Sequence, residues 1–239
     1  MNKNDKNIIT RELGFPKMYP NGEPKIYVSV EIYQGDLSKT SVDLSEKLLE
    51  NGWYPSISII NKDLDHLFEP TPEELNNVMI QFIKNNINEM KSNIINTCSN
   101  RKNIIYDCFD AHEKGIFTLS IPVMLTQVDG ICKEIDDLGI NFFKNIRDKE
   151  DIIRPKVSIK IKDLDINRNI FEHSLIVYPL ENSSQVSKSE HNDFEIFNRH
   201  TILHGNNTTY NTEINSYKSI AMLNYISDLR KYFIIKNQI

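Results

Sequence analysis

The chain has 239 residues, 39% hydrophobic and 26% charged, the balance of a globular protein with one main core and room for an extension. With only 8 glycines and 9 prolines it is neither collagen-like, nor linker-like, nor a turn-rich all-β chain. A net charge of −5 and an isoelectric point near 5.7 exclude the basic field of a protein that coats nucleic acid. No run approaches the roughly 18 apolar residues of a membrane-spanning helix, and the polar start Met1–Asn7 lacks the apolar stretch of a secretory signal. Cys98, Cys108 and Cys132 show no C-x-x-C spacing and read as reduced thiols, not as a disulfide framework or zinc site. These features predict a cytoplasmic protein that does not use the membrane.

Ile26–Tyr33 alternates apolar and polar residues after Pro24, which predicts a strand ended by Gly35. Ser41–Glu50 reads as a short helix with Ser41 as cap and Asn51-Gly52 as stop. Trp53, the single tryptophan, follows in a turn and reads as a packing anchor. Thr71-Pro72-Glu73-Glu74 is a capping-box start, and Val78, Phe82, Ile83, Ile87, Met90 and Ile94 carry the helical period to about residue 97. A second helix spans Arg101–His112, and Gly115 marks a joint. Ile116–Ile135 is nearly continuous in apolar residues and predicts the most buried helix, with Pro122 in its first two turns, where proline costs less. Asp129 interrupts that run, so it needs a partner or a polar site. Val157–Ile161 fits strand and helix equally well. Leu180–Asn192 is Ser- and Lys-rich and reads as a surface loop. The chain regains order with a helix capped by Asp193, running over Phe194–His204 and stopped by Gly205. A closing helix spans 213 to about 233, with Ile214, Tyr217, Ala221, Tyr225 and Leu229 on one face. The predicted organisation is mainly α: an irregular extension over residues 1–70 carrying a strand, then a helical domain over 71–239.

One segment looks chemical: Asn198-Arg199-His200-Thr201-Ile202-Leu203-His204-Gly205. His200 and His204, four apart on a helix, share a face that can chelate zinc, with Asp193 or Glu195 as the nearest further ligands. No glutamate stands between them where a zinc protease needs one, and a catalytic metal is not expected. The other chemistry open to these residues is metal-free RNA cleavage, in which the RNA's own 2′-hydroxyl attacks the neighbouring phosphate. That reaction needs a group titrating near neutrality and a permanent cation, which His and Arg supply. A helix C-terminus favours protonated imidazole, which suits His204 to proton donation or phosphate binding. At about 100° per residue, Arg199 and His204 lie about 140° apart around a helix, so one flat face cannot present both to one phosphate. The purely structural alternative makes Arg199 a solvated or salt-bridged arginine, Asp129 a capping or salt-bridged carboxylate, His200 a surface residue and His204 a helix-terminal cap. Tyr210 and Tyr217 fit core or dimer packing better than base stacking, and His112, His173 and His191 are scattered.

This string, with its polar loop and long closing helix, resembles the active-site motif of the HEPN superfamily: an Arg, a polar residue, about three others, then His. The runs Ala111–Gly115 and Ser120–Gly130 are similar to the long central helix of abortive-infection-like HEPN proteins, where an acidic residue before Gly lies near the site. The resemblance covers residues 71–239. It implies a helical bundle that forms a homodimer with a composite cleft, and a metal-independent endoribonuclease, without cofactor, of toxin or antiphage type. Arg199 and His204 are then the catalytic pair, with His200, Asn198 and Asp129 in supporting and phosphate-positioning roles. RNA is the implied substrate, and an antitoxin or another defence component an implied partner. The Tyr that family members with a nucleotidyltransferase antitoxin carry two residues after the His is Asn206 here, which argues against that control. Some members have lost catalysis and serve as RNA-binding or interaction subunits.

Overall fold

The computed structural model describes residues 8–13, 28–33, 45–56, 71–147, 153–163, 179 and 197–236. Strands β1 (Ile8–Leu13) and β2 (Val28–Tyr33) form an antiparallel hairpin, Ile8 opposite Tyr33 and Leu13 opposite Val28. Helix α1 covers 45–50 of the described residues. Then come α2 (Pro72–Thr97), a 3₁₀ turn (Ser99–Arg101), α3 (Lys102–Glu113) and α4 (Phe117–Lys133). A second small hairpin joins β3 (Asn145–Arg147) to β4 (Ile153–Pro155), followed by α5 (Lys156–Asp163), α6 (Arg199–Leu203) and α7 (Glu213–Lys236). The chain is mainly α, as the sequence predicts. Gly35, Ser41, His173, Leu180–Asn192, Asp193, Glu195 and His191 lie outside the described residues.

Local chemistry explains the best-defined boundaries. Thr71 Oγ1 accepts from the Glu74 amide at 3.2 Å while the Glu74 carboxylate accepts from the Thr71 amide at 2.8 Å, so two orphan donors of α2 are satisfied reciprocally. Between α3 and α4, Gly115 takes φ +69, and the Ile116 amide reaches back to the Ala111 carbonyl at 2.8 Å, a closure that requires a left-handed residue. Pro122, inside α4, has no amide to give the Thr118 carbonyl four residues back. That carbonyl accepts the Tyr210 hydroxyl at 3.1 Å instead. Tyr210 thus packs on the body of the protein.

Helix α7 is the axis of the fold. It packs on both α2 and α4, and α4 packs on α3. From Ser216 to Ser227 every residue except Lys218 is buried. The sequence predicted one apolar face. The structure buries all faces, because Ile220, Met222, Leu223 and Ile226 put large apolar side chains on the other sides, and Ser216, Ser219 and Ser227 are small enough for close approach between them. The same packing leaves Ile214, expected on the buried face, 39% exposed in the first turn.

Residues before the expected domain boundary join this core. Leu48, Leu49, Trp53 and Tyr54 are buried with it, and the Tyr54 ring meets Phe142 and Tyr225 at centroid distances of 5.7 and 5.3 Å. Trp53 serves as the predicted anchor, its indole Nε1 donating to Asn76 Oδ1 at 2.8 Å. The segment that fitted strand and helix equally is helix α5. Among the described residues, no helix is long and apolar enough to cross a membrane.

Candidate functional site

The short helix α6 carries the candidate motif, and both its ends are fixed by the motif itself. The sequence expected Asp193 as its cap. The structure leaves residues 197–198 outside the helix and makes Asn198 the cap. The Asn198 side-chain oxygen accepts from the amides of His200 at 2.9 Å and Thr201 at 3.4 Å. At the other end Gly205 takes φ +73, its amide bonds the Ile202 carbonyl at 3.1 Å, and the Asn206 amide bonds Thr201 at 2.8 Å. A five-residue helix has little stability of its own, so these two caps and the contact with α4 hold it.

Asp129 receives the partner its burial demands. Arg199 Nη2 lies 2.6 Å from Asp129 Oδ2, and the Phe143 amide donates to Asp129 Oδ1 at 3.0 Å. Both carboxylate oxygens are therefore held, one by charge and one by backbone. The Arg199 guanidinium also lies over the Phe143 ring, 5.1 Å from its centroid. Arg199 Nε is buried without a hydrogen-bond partner, so the guanidinium is not fully used by the ion pair.

The two histidines form a second unit. His200 is half-buried and His204 exposed, with ring centroids 4.3 Å apart. The structure thus joins Asp129 to Arg199 and His200 to His204, with Asn198 fixing the turn that carries Arg199 and both histidines. Arg199 turns inward onto Asp129 and Phe143, whereas His204 stands at the solvent end.

Sequence reasoning missed three features of this region. Phe143 carries no recognisable signal, since it acts through its amide and its ring face. Arg101 and Arg230 flank Glu134, at 2.5 and 2.8 Å, and Arg101 also donates to Gln127 at 2.5 Å. Gly130 is what admits Arg101, because a Cβ there would stand 2.6 Å from Nη2 and 2.9 Å from Cζ. The Asp129-Gly130 pair noted in the sequence therefore serves two different arginines.

His112, given no function in the sequence, sits in the core with 6% exposure. Its Nδ1 is 2.8 Å from Ser216 Oγ, which is 3.0 Å from Ser120 Oγ, and burial pushes the imidazole below its ordinary pKa. Tyr217 packs edge-on against it, with centroids 4.6 Å apart, and is core rather than a stacking platform. Among the described residues no group of three His, Cys, Asp or Glu side chains is arranged to hold a metal ion. Comparison of the chain with protein-family models, with curated proteins and with solved structures finds no match.

Proposed function

We propose that the chain is a metal-independent endoribonuclease of HEPN type, working as a homodimer in toxin or antiphage defence in the cytoplasm. The observation that carries this reading is the Arg199–Asp129 pair, which ties the helix bearing Arg199, His200 and His204 to the central helix α4 and leaves His204 open to solvent. Cleavage by an RNA's own 2′-hydroxyl needs no metal. The 2′-oxygen attacks phosphorus, its proton passes to a base, and the 5′-oxygen leaves with a proton from an acid. His204 is exposed enough to exchange protons and reach a phosphodiester. Arg199 supplies permanent charge for the phosphorane oxygens through terminal Nη hydrogens that Asp129 does not take, its Nε being buried. His200 and Asn198 hold the turn, and Asp129 orients Arg199. Because Arg199 and His204 point apart within one chain, a cleft between two copies of α6 is the arrangement that offers both to one phosphate.

A second reading has one specific observation in its favour. Asp129 already compensates the charge of Arg199, as a catalytically silent subunit of a defence complex would allow. RNA incubated with the chain in EDTA separates the two. The ribonuclease reading requires fragments ending in 2′,3′-cyclic phosphate and 5′-hydroxyl, whereas intact RNA under growth-arresting expression of the chain would favour the interaction subunit.

A further inference from the structure

His200 and His204 stand one turn apart on a helix whose two ends are locked, with ring centroids 4.3 Å apart and ring planes inclined by 55°. Two imidazoles bound to one tetrahedral metal at about 2.0–2.1 Å per nitrogen have ring centres about 5 Å apart. Turning the exposed His204 ring about its own side-chain bonds is the movement that the site requires. Thr201, Ile202 and Leu203 between the histidines carry no charge. The nearest cation in sequence, Arg199, is compensated by Asp129 at 2.6 Å, so an incoming cation does not meet an uncompensated guanidinium. The thiols do not compete, since Cys98, Cys108 and Cys132 are all buried, and burial pushes each thiol up, Cys108 to about 12.

We propose that His200 and His204 form a two-histidine surface site for Zn²⁺ that reversibly silences the chain by taking His204 out of proton transfer. The binding half of this proposal stands on the histidine geometry alone, and the silencing half rests on the ribonuclease reading above. Two neutral imidazoles fill two coordination positions. No third His, Cys, Asp or Glu among the described residues joins them, and water can take the positions that the two imidazoles leave. Such a site is an exchanging one and not a structural centre, far weaker than a four-ligand site. Cu²⁺ binds the same pair more tightly, following the usual order of divalent ions for nitrogen donors. The consequence is opposite to that of a metalloenzyme: a chelator raises activity and zinc removes it.

The test is calorimetric titration of ZnCl₂ into the full chain, as wild type, His200→Ala and His204→Ala, with circular dichroism to check helix content. One Zn²⁺ per wild-type chain is expected, with affinity at least tenfold weaker in each variant. Unchanged affinity in either folded variant, or no uptake by the wild type up to about 1 mM ZnCl₂, overturns the site. His200→Asn and His204→Asn replace any alanine variant that loses helix. Cleavage of RNA at rising ZnCl₂ then reads the consequence, with half-inhibition expected near the calorimetric dissociation constant. Full cleavage at saturating zinc overturns the silencing. A chain that binds zinc through both histidines but cuts no RNA in EDTA supports the site and overturns the ribonuclease reading.

Discussion

Arg199 lies 70 residues from Asp129 in the chain and 2.6 Å from it in the fold, and the other Asp129 oxygen is held by the Phe143 amide. Three separate segments, α4, the loop before β3 and α6, therefore meet on one carboxylate. The pair is mostly shielded, with side-chain exposures of 23% for Arg199 and 11% for Asp129, so its loss has a measurable effect where a surface pair's would not.

Asp129→Asn leaves Arg199 uncompensated and is expected to destabilise the chain by about 1–3 kcal/mol. Arg199→Met strands the carboxylate instead. In the double variant neither charge remains, so part of the loss returns, with a coupling of about 1 kcal/mol or more. Urea unfolding of the four proteins checks this, and strict additivity would contradict the pairing.

The need for such a partner was legible in the sequence, and its identity was not. Desolvation alone says that a carboxylate within the apolar run Ile116–Ile135 must be compensated. Which of seven arginines does so depends on how distant segments pack, and no local pattern records that. The same division holds elsewhere. The capping box at Thr71 is local chemistry and was readable, whereas the choice of Asn198 over Asp193 as cap depends on where the chain enters the helix. The segment Val157–Ile161 was ambiguous because so short an apolar alternation fits both periods, and packing decides between them. Ile8–Leu13 gave no strand signal before its partner, Val28–Tyr33, was in view.

Gly130 offers a test of sign. Alanine in the middle of a helix is ordinarily favoured over glycine by about 1 kcal/mol. Here its Cβ would meet the Arg101 guanidinium, which Gln127 and Glu134 hold in place. Gly130→Ala is therefore expected to be neutral or destabilising in the wild type and stabilising, by about 1 kcal/mol, in an Arg101→Ala background. Thermal unfolding in both backgrounds reads the reversal, and a gain in both would show that Arg101 does not need the space.

Lys218 links stability to pH. Its ammonium lies over the Trp53 ring at 5.6 Å, and burial pushes its pKa from 10.5 down to about 8. Below pH 8 the folded chain carries the full cost of a desolvated charge. Between about 8 and 10.5 the folded lysine is neutral while the unfolded one still binds a proton, so stability rises with pH across that window. Lys218→Met is expected to be more stable than the wild type at pH 7 by about 1–2 kcal/mol, an advantage that shrinks towards pH 10. An advantage independent of pH would contradict the titration.

The catalytic assignment turns on His204, an exposed residue that ends α6 and bears little of the fold's stability. The most direct measurement is the rate of cleavage of an end-labelled RNA in EDTA by wild type and His204→Ala, with unfolding curves for both. Expected are metal-free cleavage by the wild type, a loss of about 10²–10⁴-fold in the variant, and a stability within about 0.5 kcal/mol of the wild type. Cleavage that persists undiminished in a folded His204→Ala chain, or that EDTA abolishes in the wild type, would contradict it.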